Sequence, residues 1–181
     1  MNVFAKYILF VMLDLAASFL NFFLAPIVVL FASDDGWLPG WLSWFQTPED
    51  DLDHDYRKKR FPGPQTGWKR WYSRVAWLYR NSMYGFCIDV LGTRLKASDT
   101  MLIDGDPDTG NRPLHNGWAL YRIYRDGKLI YFQFYFVRAW TATMCLRLNF
   151  GWKVWGLQSG EIKRCQLTFS PNPFMGYSTN P

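Results

Sequence analysis

The sequence predicts an α+β chain: an N-terminal transmembrane or apolar helix, an interfacial aromatic segment, then an antiparallel meander of about five strands with one amphipathic helix. Three observations predict it. Residues 7–32 are apolar with four interruptions. Residues 117–155 are long runs of Tyr, Phe, Ile and Val broken by Asp126-Gly127. Between these regions the charges separate into an acidic block and a basic one. The expected organisation is a helix over 1–33, an interfacial aromatic segment with an acidic and basic loop over 34–67, and a strand-rich domain over 68–181.

The stretch YILFVMLDLAASFLNFFLAPIVVLFA, Tyr7 to Ala32, is interrupted only by Asp14, Ser18, Asn21 and Pro26. As a helix it is about 39 Å long, enough to cross a hydrocarbon layer of roughly 30 Å with some tilt. A secretory signal is the rival reading because Lys6 supplies a small basic start. The apolar run is too long and too polar in its middle for that, and no small-residue cleavage site follows. Asp14, Ser18 and Asn21 fall at i, i+4 and i+7, so they share one helix face. An ionisable group in lipid is costly, so this face is expected against protein, a second copy of the chain, or water. Pro26 is either tolerated inside a spanning helix or breaks it into a span and a short re-entrant piece.

After Ser33-Asp34-Asp35-Gly36 the sequence WLPGWLSWF supplies tryptophans of the kind that settle at headgroup level. Trp37, Trp41, Trp44 and Phe45 are therefore candidate membrane- or partner-facing residues, with Trp41, Leu42, Trp44 and Phe45 on one face of a short helix. Pro48 ends it, since the residue before a proline avoids helical geometry.

The chain has 181 residues, 49% apolar and 19% aromatic, which excludes a disordered tail and suits one domain with an appendage. Its net charge of +5 conceals polarity along the sequence. Residues 34–55 hold seven acids and no Lys or Arg; residues 56–88 hold eight bases and no acid. Arg57, Lys58, Lys59, Arg60, Lys69, Arg70 and Arg74 are candidate contacts for anionic lipid or nucleic acid. Three cysteines at wide spacing, Cys87, Cys145 and Cys165, indicate neither a disulfide framework nor a zinc site, and suit a reducing compartment.

A helix is expected from about Trp68 to Asn81, with Trp71, Val75 and Leu78 on one face. It either lies on an anionic membrane surface or packs on the sheet. Residues 84–92, YGFCIDVLG, read as the first strand. WALYRIYR and KLIYFQFYFVRAW form a hairpin about Asp126-Gly127. A further turn is expected at Asn149 to Gly151, one more strand before Pro171, and an irregular tail, PNPFMGYSTNP. Several strands are apolar on both faces, so helices or membrane should cover one side.

The segment WFQTPEDDLDHD, Trp44 to Asp55, resembles one in a family of small membrane-anchored proteins of tailed bacteriophages and prophages whose function is unknown. Leu13-Asp14-Leu15 and SRVAWLYRNSMYGF are similar to that family too, so the resemblance covers about the first 90 residues. Glu49 stands where Asp is usual and His54 where Gly is usual. The resemblance implies a phage gene and a bacterial host envelope; it brings no reaction and no catalytic residues.

Chemistry is sparse. Asp104 to Gly110 imitates the start of a calcium loop, but its glycine is one place late and His115 occupies the position of the bidentate Glu. A polar turn accounts for it. Asp51, Asp53 and Asp55 are weak metal candidates. His54 and His115 are the only histidines, so no catalytic triad or zinc motif is built. No cofactor is expected.

The leading expectation is therefore a phage-encoded, non-enzymatic accessory membrane protein whose strand-rich domain binds a host or phage partner at the host inner membrane. Its C-terminal domain is placed in the cytoplasm. The second is a structural or ejected virion protein that contacts DNA through the basic segment. The third is a small metal-dependent enzyme using the acidic loop.

Overall fold

The computed structural model describes residues 2–53, 66–110, 114–155 and 164–177. Arg57, Lys58, Lys59, Arg60, His54 and Asp55, named above, lie outside them. The elements, in chain order, begin with helix α1 (Val3–Val28), 3-10 turns at Val29–Phe31 and Gly40–Phe45, α2 (Gly67–Arg80) and α3 (Tyr84–Asp89). Strands β1 (Thr93–Arg94), β2 (Thr100–Gly105), β3 (Gly117–Arg125), β4 (Lys128–Ala139), β5 (Met144–Trp155) and β6 (Arg164–Gly176) follow, with a 3-10 turn at Pro107–Gly110. The chain packs as two units: Met12–Leu91, and Met1–Val11 together with Gly92–Pro181. Helix α1 contributes its first turns to the second and the rest to the first.

The α+β class holds: a long apolar N-terminal helix precedes an antiparallel sheet of six strands in the order β1-β6-β5-β4-β3-β2. The Asp126-Gly127 hairpin forms as expected. Arg125 pairs with Lys128, and both turn residues take positive φ, 50° and 73°, as a two-residue turn between right-twisted strands requires. The sheet also curls. β1 and β2 sit at opposite ends of the strand order, yet only residues 95–99 separate them in sequence. That link reaches about 20 Å at most, less than the roughly 24 Å width of a flat six-stranded sheet. Asp99 in the link holds Arg125 at the end of β3, and its charge adds to burial, the main cause, in raising the pKa of Cys165 in β6. The two edges therefore approach each other.

Four expectations are corrected. Residues 84–89 are helix α3, not a strand: Gly85 comes so close to the backbone of Ser43 and Gln46 that a Cβ would collide with both carbonyls. Asn149 to Gly151 is not a turn, because β5 runs through it with Gly151 at φ +107°. A side chain there would strike the Phe132 carbonyl, so only glycine lets the strand continue. The tail through Gly176 belongs to β6. Pro171 and Pro173 are accommodated there because β1 pairs with only two residues of β6, which leaves the rest of that strand at the sheet edge, and the β5–β6 register shifts beside Pro173. The fourth is the strand number: with 84–89 helical, the unforeseen β1 and β2 bring it from about five to six.

The sheet core contains Ala119, Ile123, Tyr131, Tyr135, Val137, Cys145 and Trp152. It includes one paired polar bridge, Gln133 Nε2 donating to Asn149 Oδ1 at 2.9 Å. Along β4 the residues Tyr131, Gln133, Tyr135 and Val137 are buried while Phe132, Phe134 and Phe136 are half-buried. This alternation leaves the second face apolar as well. The first turns of α1 cover part of that face: Phe4 and Tyr7 lie 5.0 and 5.3 Å from the Phe132 ring, and the Tyr7 hydroxyl donates to Thr168 O at 2.9 Å.

Candidate functional site

Helix α1, with the turn that follows it, is long and apolar enough to cross a membrane by length and composition, with mean hydropathy 2.1 over Val3–Phe31. Its packing is one-sided. Met12, Phe19, Leu20, Phe23, Ile27 and Leu30 form a ridge in which every side chain is 55–69% exposed. A contiguous apolar surface of this kind marks contact with lipid or a partner.

The opposite stripe carries Asp14, Ser18 and Asn21, as the spacing requires. It faces this chain's own helices α2 and α3, the first of the three occupants expected for it. Asp14 Oδ1 accepts a hydrogen bond from the Cys87 thiol at 3.0 Å. Asn21 is 1% exposed and donates to Leu78 O at 3.0 Å and Ser82 Oγ at 2.9 Å. Ser18 is half-buried between them in sequence. Below Asn21 the stripe becomes apolar: Ala25, Val28 and Val29 bury against Val75, Trp77 and Leu78. Each fully buried side chain of this size contributes about 1.5–3 kcal/mol.

Pro26 does not break α1. It has no N–H, so the Phe22 carbonyl lacks the donor four residues on. The Tyr79 hydroxyl donates to that carbonyl at 2.9 Å, its ring stacked on Phe22 at 5.4 Å. Trp71 Nε1 donates to the Pro26 carbonyl at 2.9 Å. Two aromatic donors of α2 thus serve the α1 backbone where the proline disturbs it.

The aromatic segment divides. Trp37, Trp41 and Trp44 are exposed, whereas Leu42 is buried and Phe45 packs half-buried on the same core as Leu78. The four residues from Trp41 to Phe45 expected on one face are therefore shared between outside and core, because the turn is 3-10 and not α. What holds the segment is Gln46, 4% exposed. Its Oε1 accepts from Leu38 N–H at 2.8 Å, and its Nε2 donates to Gly36 O at 3.3 Å and Asp50 O at 3.0 Å. Thr47 Oγ1 donates to the same Asp50 carbonyl at 3.0 Å.

Asp53 joins this loop to α2. Arg74 donates from Nε to Oδ1 at 3.1 Å and from Nη2 to Oδ2 at 2.6 Å; Arg70 Nη2 reaches Oδ2 at 3.0 Å. Arg74 Nη2 also donates to Ser33 O at 3.1 Å, and Arg70 to the Asp34 carbonyl. The Arg74 side chain is only 8% exposed. Arg70 and Arg74, expected at anionic lipid or nucleic acid, are thus turned towards an internal carboxylate. Lys69 remains exposed. As a metal candidate Asp53 is occupied by these two arginines, and Asp51 Oδ1 accepts from the Asp53 N–H. Among the described residues no three His, Cys, Asp or Glu side chains gather to hold an ion.

The imitation calcium loop is a turn. Asp106 Oδ1 accepts from Asp108 N–H at 2.9 Å, and its Oδ2 meets His115 Nε2 at 2.6 Å. The hydrogen bond to His115 is the main cause that holds the Asp106 carboxyl below its ordinary range. At the far end of the sheet, unforeseen in the sequence, Trp140 and Phe174 are 56% and 71% exposed with ring centroids 5.6 Å apart. Met144, 41% exposed, adjoins them through its carbonyl bond to Trp140 N–H. Gln46, Tyr79, Cys87 and this pair were not legible as site residues: Tyr79 and Cys87 act through partners 57 and 73 residues away, Gln46 through the backbone of an irregular loop, and Phe174 from a tail expected to be irregular.

Over residues 1–179 the chain matches the model of DUF7338, a family of unknown function. No curated protein and no solved structure matches it.

Proposed function

Because this chain belongs to the DUF7338 family of unknown function, we propose its role from its own residues: a phage-encoded, non-enzymatic accessory protein held at the host inner membrane, whose sheet binds a partner protein there. One observation carries the reading, the ridge from Met12 to Leu30 whose large apolar side chains are each more than half exposed. The tryptophans at 37, 41 and 44 extend that surface with residues suited to headgroups. The phage setting rests on the resemblance of Trp44 to Asp55. The cytoplasmic placement of the sheet rests on the three cysteines, none of them in a disulfide.

The test is fractionation of infected cells with the wild-type chain and the double variant Phe19→Glu with Phe23→Glu. These two rings are 66% and 57% exposed, with Phe19 against Phe23 and Phe23 against Phe22, so the fold should persist while the membrane face is lost. We expect wild type in the inner-membrane fraction and the variant in the soluble one. Equal membrane retention of both overturns the reading, and recovery of wild type in purified particles replaces it with a virion role.

A further inference from the structure

We propose that α1 lies along a single leaflet and does not cross the bilayer: its exposed ridge is sunk among acyl chains and its α2–α3 side is turned to headgroups and water. This rests on the membrane reading above and specifies the surface that the chain recognises, one face of a lipid bilayer.

The argument comes from how α2 and α3 accompany α1. Contacts between them run broadly antiparallel from Asp14 to the end of α1 and just beyond it: Arg74 with Ser33, Trp71 with Pro26, Tyr79 with Phe22, Ser82 with Asn21, and Cys87 with Asp14. Any hydrocarbon layer that α1 crossed would therefore contain α2 and α3 as well. Residues 12–31 are the 20 that span roughly 30 Å, and Asn21 is at their middle. Leu78 and Ser82 both bond Asn21, so Arg80, exposed, is fixed at that same level. A crossing would place its guanidinium near the bilayer centre, too deep to snorkel and among the costliest positions for an arginine.

Lying in plane removes the conflict. α1 taken alone is apolar nearly all round, which is what a hydropathy reading detects. With α2 and α3 against its polar stripe, the packed unit becomes amphipathic, an apolar ridge on one side and Lys69 and Arg80 on another. That is the composition of an interfacial anchor. The exposed aromatics agree. A spanning helix collects Trp and Tyr in two belts at its ends. Here exposed Tyr79 is fixed at the level of Phe22, one residue from Asn21 at the middle of residues 12–31, while Trp71 stands at Pro26 and Trp37, Trp41 and Trp44 follow the helix end. Aromatics spread along the axis suit an axis parallel to the headgroup layer.

The topology is read with two single-cysteine additions at exposed positions, Asp35→Cys in the loop after α1 and Lys128→Cys in the β3–β4 hairpin, in the full chain. Cys87, Cys145 and Cys165 are at most 5% exposed and should give little background. Right-side-out and inverted sealed vesicles from the expressing cells are treated with a membrane-impermeant maleimide. We expect both positions to label in one vesicle preparation and neither in the other. Labelling from opposite sides would show that α1 crosses and overturn the leaflet placement while leaving the membrane reading intact. Recovery of the chain in the soluble fraction, with no vesicle-bound protein to label, would overturn both.

Discussion

At the residue scale, the best-matched segment of the resemblance turns out to be a fastening. Gln46 is a buried amide with one acceptor and two donors, and all three are used by backbone groups of residues 36, 38 and 50. Gln46→Leu fills a similar volume but strands the Leu38 N–H, while Gly36 O keeps the Leu52 N–H at 2.9 Å and Asp50 O keeps the Thr47 hydroxyl. The expected loss is about 1–3 kcal/mol of stability, on the cost of leaving a buried donor unpaired, read as a lower denaturant midpoint. A second residue sets the acid limit of the sheet. The Asp99 side chain is 2% exposed and held by Arg125 through two bonds of 2.7 and 2.8 Å. Those bonds are the main cause that pulls its carboxyl below the ordinary range. A depressed carboxyl contributes stability above its unfolded pKa, near 3.9, and that contribution disappears as pH falls through the lower folded value. Asp99→Asn should therefore lower the thermal midpoint at pH 7 and narrow the gap to wild type below about pH 4; a gap independent of pH would contradict the assignment.

At the scale of elements, α1 was legible because 26 apolar residues leave few alternatives, and the β3–β4 hairpin because Asp-Gly between aromatic runs is a local signal. α3 was misread because Phe86, Cys87 and Ile88 are as apt for a strand as for a helix. What decides is the close approach of Gly85 to Ser43 and the Asp14–Cys87 bond, contacts across 42 and 73 residues that no local pattern contains. Gly151 misled for a related reason: Asn-Phe-Gly reads as a turn, yet the glycine is there to admit the Phe132 carbonyl. The Pro26 repair makes a sharper prediction. Tyr79→Phe keeps the stacked ring and loses one hydrogen bond, an expected cost of about 0.5–1.5 kcal/mol. In a Pro26→Ala background the restored N–H serves Phe22, so the same substitution should cost less, and a double-mutant cycle measures the coupling.

At the scale of the whole molecule, the charge blocks were visible but their purpose was not. An acidic loop followed by a basic helix reads as two binding surfaces, whereas Asp53 with Arg70 and Arg74 are one internal clamp. The length and apolar character of α1 were legible from hydropathy. Its one-sidedness was not, because the polar side of α1 is supplied by α2 and α3. If the sheet is the partner-binding half, the exposed Trp140 and Phe174 pair is its best anchor, since aromatic side chains dominate such contacts. Trp140→Ser with Phe174→Ser should keep the chain in the membrane fraction and abolish crosslinking to its partner in infected cells; unchanged crosslinks would move the interface elsewhere on the sheet.

Attachment to a lipid surface concentrates a protein in two dimensions, where neighbouring copies collide far more often than in solution. A strand with an open row of amide donors would then act as a seed on which other copies stack. β6 is long, and β1 caps only two of its residues. Pro171 and Pro173 have no N–H to offer there, and proline is one of the residues by which an open edge is blunted. On the proposed membrane surface they would help neighbouring copies remain separate molecules.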